Sequence, residues 1–238
     1  MATLAGAQAV RLSFWAKMTI GMSAFIVFGF AQFALRGFVP YMTVPLVFHL
    51  HGLTMLAWLG LLCTQSVLAG RGAGLEIHRR LGWASVVMLP LVVVLASVTC
   101  VTALREGIVP PFFTPAYFLA LVHIGVAFIA ALAATAIARR GEADWHKRLI
   151  IGSTILLMEP ALGRVLPMPL LGPWGGWVQL VVQLGVASLV WRHDRQRLGH
   201  VHPATMAVMI AIVLSHVVIE LTAITPWWIA FAARVAAG

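Results

Sequence analysis

Seven stretches of this chain are each long and apolar enough to cross a lipid bilayer, and that constrains the fold more than any motif. They run over about 17–37, 41–69, 82–104, 116–138, 148–168, 175–191 and 204–232. A bilayer core of about 30 Å is spanned by roughly 20 apolar residues in a helix. With 61% hydrophobic residues, only 10% charged ones and a mean hydropathy of +0.98, the chain lies far from soluble composition. Short alternating segments of the kind that build a membrane β-barrel do not occur. The expected fold is therefore an all-α integral membrane bundle of seven transmembrane helices forming one domain over 1–238.

Basic residues set the expected orientation. Arg11 and Lys17 precede the first stretch, and Arg71, Arg79 and Arg80 follow the second. Arg139, Arg140, Lys147 and Arg148 follow the fourth, and Arg192, Arg195 and Arg197 follow the sixth. Most of the 16 Lys and Arg thus gather on one side, which the positive-inside rule makes cytoplasmic. The N-terminus then lies inside and the C-terminus outside. Trp15, Trp83, Trp145 and Trp191 fall at the inner boundary, and Trp174, Trp177, Trp227 and Trp228 at the outer one, as an aromatic belt. The first apolar run has no convincing small-residue cleavage site, so it reads as a helix and not as a signal peptide.

The net charge of +9 is mostly inner-loop Lys and Arg facing anionic lipid. Short basic clusters beside helix ends, with no soluble domain, exclude nucleic acid as a partner. Cys63 and Cys100 fall at opposite depths, too far apart for a disulfide, and read as packing residues.

Two passages of the chain are alike. "HGLTMLAWLGLLCTQSVLAGRGAGLEIHRRLGWASVVML" begins at His51, and "HIGVAFIAALAATAIARRGEADWHKRLIIGSTILLM" begins at His123. Each starts with a His near the outer end of one helix, turns in a basic Gly-containing loop, and restarts with a His beside basic residues. Segments 45–104 and 116–168 form the expected internal repeat, a common way to place a site on a bundle axis. From His51 to the turn at Gly70 is about 28 Å of helix at 1.5 Å per residue. His51 and His123 are accordingly placed in the outer half, and His78 and His146 at the inner boundary. Four imidazoles in two layers of a four-helix core suit two stacked haems, each held by one pair.

"FHLHGLTM", "LVHIGVAF" and "LEIHRRLGW" carry a family resemblance. The region of about 45–160 resembles the cytochrome b561 family, whose transmembrane haems are held by histidines on four consecutive helices. His51 stands at the ligand position of the first haem helix, with Gly52 where that family has proline. The resemblance implies haem b, one or two per chain, ligated by His51 with His123 and by His78 with His146. It also implies electron transfer across the inner membrane with a quinol or a small redox partner. The His-Arg-Arg-Leu-Gly and His-Lys-Arg signatures also look like an uncharacterised bacterial multi-helix membrane family, which implies no chemistry.

His49 and His51 point about 200° apart on a helix, so one regular helix cannot bring both to one metal. Met55, Trp58 and Leu62 continue the face of His51. The loop histidines His193, His200 and His202 read as solvated. A second polar set comprises Glu159, Arg164, His216 and Glu220. Depth counting puts Glu159 level with His216 at about 17 Å, and Arg164 level with Glu220 at about 24 Å. The expected pairs are Glu159 with His216 and Arg164 with Glu220, with Pro160 opening the helix after Glu159. This set suits a proton relay or quinol site, or alternatively a non-haem Zn or Fe centre in a membrane enzyme. A third expectation is an accessory subunit of a larger membrane complex, its polar residues fixing helix packing alone.

Overall fold

The computed structural model describes residues 12–39, 42–70 and 74–238, and is helical with no strand among them. The ten helices are α1 (Phe14–Leu35), α2 (Leu46–Ala69), α3 (Leu75–Arg105), α4 (Pro115–Ala138), α5 (Ala143–Leu157), α6 (Glu159–Val165), α7 (Met168–Leu171), α8 (Gly175–Leu198), α9 (Pro203–Ala223) and α10 (Pro226–Ala237). Among the described residues six spans are long and apolar enough to cross a membrane: α1, α2, α3, α4, the run Met168–Leu198, and α9. The basic residues Arg11 and Arg71, and Tyr41 at the start of the second expected segment, lie outside the described residues.

Helix ends follow local chemistry. The Ser13 hydroxyl accepts from the Ala16 N–H at 3.1 Å, and the Thr114 hydroxyl accepts from Tyr117 N–H at 3.1 Å with Pro115 at the first helical position. Each side-chain oxygen satisfies an N–H that the first helical turn leaves unpaired. Gly199 ends α8 in the left-handed region at φ 76°, a backbone conformation that strains residues with a side chain.

The fifth and seventh sequence segments each divide in two. The fifth breaks at Met158 into α5 and α6, because Pro160 offers no N–H to the carbonyl four residues back and its ring crowds it. Met158 N–H turns instead to Ile155 O at 3.1 Å. The seventh stops at Ala223, and Pro226 starts α10, which folds back over α3 and α4. Trp228 Nε1 donates to Ala116 O at 2.9 Å, and Arg105 Nε to Val235 O at 3.4 Å, pinning α10 to that end.

Helices α1, α2, α3, α4 and α5–α6 each pack on the next, and the last returns to α1, closing a ring. Outside it, α9 lies on α4 and α5, and α8 lies on α9, α5 and α6. The central core gathers Trp58, Leu62, Ile129, Leu132, Ile155, Leu156 and Ile212. Phe28, Leu53, Val87 and Val94 are large, apolar and exposed, a surface suited to lipid. Cys63 and Cys100 are free thiols.

At the basic end, Arg148 (side chain 3% exposed) grips Asp194 (0%), with Nε 3.1 Å and 3.2 Å from its two carboxylate oxygens. Asp194 also accepts from the Thr205 hydroxyl and from His202 N–H. This clip ties α5, α8 and α9 together. His202 is therefore no free loop side chain: its Nδ1 caps α9 by accepting from Ala204 N–H, and its ring meets Trp145 edge-on. Burial, then the nearby Arg148 charge, lowers its pKa from the ordinary value. His193 stacks flat on Phe14 with centroids 3.9 Å apart.

Candidate functional site: two layers of half-buried histidine

Helix α3 lies beside α2, and the short turn at Gly141 returns α5 beside α4. Each hairpin makes the same bond across its arms. His78 on α3 donates from Nδ1 to the carbonyl of Gln65 on α2 at 3.2 Å. His146 on α5 donates from Nδ1 to the carbonyl of Ala136 on α4 at 2.8 Å. A carbonyl only accepts, so Nδ1 carries a proton on both rings, and in the neutral imidazole this leaves the lone pair at Nε2. A carbonyl behind the coordinating imidazole is the usual way a metal-binding His is oriented.

The two rings face one another across the bundle, with centroids 6.3 Å apart and planes at 89°. A metal–nitrogen bond of about 2.0–2.1 Å plus roughly 1 Å to the ring centre sets two imidazoles on opposite sides of one ion at roughly 6 Å. Their helices α3 and α5 both lean on α4. Beside the pair, Gln65 Oε1 is buried without a hydrogen bond, and its amide nitrogen lies 3.4 Å from where a Cβ on Gly82 would stand.

The second layer lies deeper. His123 donates from Nδ1 to Leu119 O at 3.0 Å, and its Nε2 accepts from the Ser97 hydroxyl at 2.9 Å. His51 has a buried Nδ1 with no hydrogen bond, and His49 faces outward. No ring contact or hydrogen bond joins His51 to His123 among the described residues.

Glu159 and His216 are together: Oε1 and Nε2 stand 3.5 Å apart, with side chains 9% and 3% exposed. His216 Nδ1 donates to Ile212 O at 3.2 Å, again leaving Nε2 a lone pair. The other expected pair gives way to a different arrangement. Glu220 accepts from the Tyr117 hydroxyl at 3.2 Å, and Arg164 lies over the Phe30 ring at 4.0 Å while donating to Pro160 O at 2.7 Å. The break at Met158 turns α6 onto α1, where Ala161 meets Gly29 so closely that a Cβ there would come to 3.0 Å. Arg164 is carried toward α1 with it.

Sequence reasoning missed Tyr117, Gln65, Gln183 and Asp194. A polar residue inside an apolar run is the signal that could have found Gln65 and Gln183. Chemically, His78 and His146 are a pair of imidazoles of the kind that would hold a haem, which would supply one-electron chemistry there. A bare Zn or Fe centre takes three or more protein ligands. Among the described residues no group of three or more His, Cys, Asp or Glu side chains is placed to hold a metal. No protein-family model, curated protein or solved structure matches this chain.

Proposed function

We propose that this chain is a multi-pass inner-membrane electron carrier holding haem b through His78 and His146. The observation that carries the reading is that pair, 6.3 Å apart with both Nδ1 atoms committed to backbone carbonyls. Seven crossings are proposed, with α5 and α6 together making the fifth and the basic end cytoplasmic by the positive-inside rule. His78 and His146 then lie toward the cytoplasmic face, where a small redox partner can approach. His51 and His123 are the proposed ligands of a second haem, for which Ser97 must release His123 Nε2.

Bound haem supplies a one-electron carrier in a low-dielectric setting. The protein's part is orientation and insulation. The Gln65 and Ala136 carbonyls fix the tautomer and plane of the two rings. Trp58, Leu59 and Leu62 on α2 and Leu132 on α4 keep the interior apolar. The outer polar group Glu159, His216, Glu220 and Tyr117 offers protonatable atoms to a quinol or to protons that accompany the electron. Haem content by pyridine haemochrome, measured for the purified wild type, His78→Ala and His146→Ala, tests the assignment. The expected result is one haem fewer per chain in both variants; unchanged content in either one excludes that histidine as a ligand.

A further inference from the structure

The Arg148–Asp194 clip sets the register of the helices behind the outer polar group. Helices α8 and α9 run antiparallel from Asp194 beside Thr205. Counting equal numbers of residues from that contact brings Gln183 level with His216. At the far end Gly176 lies against Glu220, which shifts the pairing by about one turn along the helices and leaves Gln183 within about a turn of His216. Gln183 is fully buried, and neither its Oε1 nor its Nε2 has a partner. Glu159 Oε1 and His216 Nε2 are also buried and too poorly aligned for a hydrogen bond. Four orphaned polar atoms within about a turn of one another in an apolar bundle demand an explanation, since each such atom costs about 1–3 kcal/mol unless paired.

One turn outward, Glu220 and Tyr117 meet at 3.2 Å, and both are half-buried. Gly176 makes room for them: a Cβ there would stand 2.7 Å from the Tyr117 oxygen and 2.8 Å from Glu220 Oε1. His216 and Glu220 share one face of α9 with Cβ atoms about 5–6 Å apart, a gap one water spans. Toward the basic end the way is closed by Ile155, Leu156 and Ile212, all essentially fully buried.

We infer that Glu159, His216, Glu220 and Tyr117 form a proton path from the middle of the bundle to its aromatic end, with the Gln183 amide holding water within it. This path stands whether or not haem binds. In this path the mobile proton of the pair is placed on the Glu159 carboxyl, which leaves His216 Nε2 its lone pair and keeps the buried pair neutral. In the transfer step the Glu159 O–H bond breaks, water takes that proton and passes one of its own to the Glu220 carboxylate. Glu159 is left ionised until a proton returns by the reverse route. The titratable groups that face Glu159 are His216 and Glu220 from α9 and Tyr117 from α4, and α8 brings the uncharged, buried Gln179 and Gln183.

The test is infrared spectroscopy of the full chain in lipid nanodiscs, following the carboxylic-acid C=O band on transfer from H2O to D2O. The expected band disappears in Glu159→Gln and shifts in His216→Gln, which identifies it if the first variant does not fold. Its deuterium shift is expected to slow severalfold in Tyr117→Phe and in Glu220→Gln. The path is overturned by the lack of such a band, by its persistence unshifted in both Glu159→Gln and His216→Gln, or by exchange in Glu220→Gln as fast as in the wild type.

Discussion

His78 and His146 stand on different hairpins yet face one another at 6.3 Å, each turned by a backbone carbonyl of its own hairpin partner. The relationship is double: the rings are near, and their free nitrogens are of one kind. Each ring commits Nδ1 to a backbone carbonyl across its own hairpin, which satisfies that N–H and fixes the plane of the ring. The free Nε2 of each ring is what the proposed haem would use.

Breaking the Arg148–Asp194 clip is expected to destabilise the bundle strongly. Asp194→Ala leaves the buried Arg148 with only the exposed Asp144 beside apolar Ile151 and Val190, and Arg148→Ala leaves Asp194 with Thr205 and His202 N–H alone. Loss of one partner of a buried pair costs about 3–5 kcal/mol, whereas replacing both by apolar residues is often close to neutral. Unfolding in denaturant should therefore rank the double variant Arg148→Met/Asp194→Leu above either single alanine variant. A double variant no more stable than the singles would show that the clip contributes through its charge.

Close packing of α5 on α9 rests on Gly152, whose added Cβ would come within 2.4 Å of a Val208 methyl. Gly152→Ala is expected to cost about 1–3 kcal/mol by overpacking. Val208→Ala in the same chain should return part of that loss, which a thermal melt of the three variants would read.

Asp144 lies at the start of α5, outside the apolar spans. Hydrogen bonds from Lys147 and then Arg148 hold its pKa down at about 2. A lowered carboxylate contributes stability that is present above its ordinary value near 4 and is lost as pH falls through about 2. The carboxylate is 59% exposed, so solvent screening keeps the effect small. Melting temperature in Asp144→Asn should fall less steeply than in the wild type between about pH 4 and pH 2. Parallel curves would show that Asp144 is not anchored in solution.

The lengths and polarity of the apolar runs carried the helical fold, because a bilayer-long run of hydrophobic residues has few alternatives. Pro160 announced the break at Met158, since proline's missing N–H acts locally. Other features were not local. Arg148 reads as one more basic residue beside a helix end until α8 brings Asp194 to it. Arg164 and Glu220 share a depth when counted along straight helices, but the break in the fifth segment turns α6 away, and Tyr117 from α4 takes the carboxylate. The depth count placed Glu159 beside His216, and the structure brings those two to 3.5 Å. Histidine tautomers depend on carbonyls of neighbouring helices, which no single segment reveals.

The most direct measurement is the visible spectrum of the detergent-purified protein, oxidised and then reduced with dithionite, with His146→Ala beside it. The expected result is a b-type reduced spectrum in the wild type, with the component due to His78 and His146 lost in the variant. A wild-type protein with no haem absorbance after expression with ample haem, or a variant spectrum identical to the wild type, would contradict the assignment.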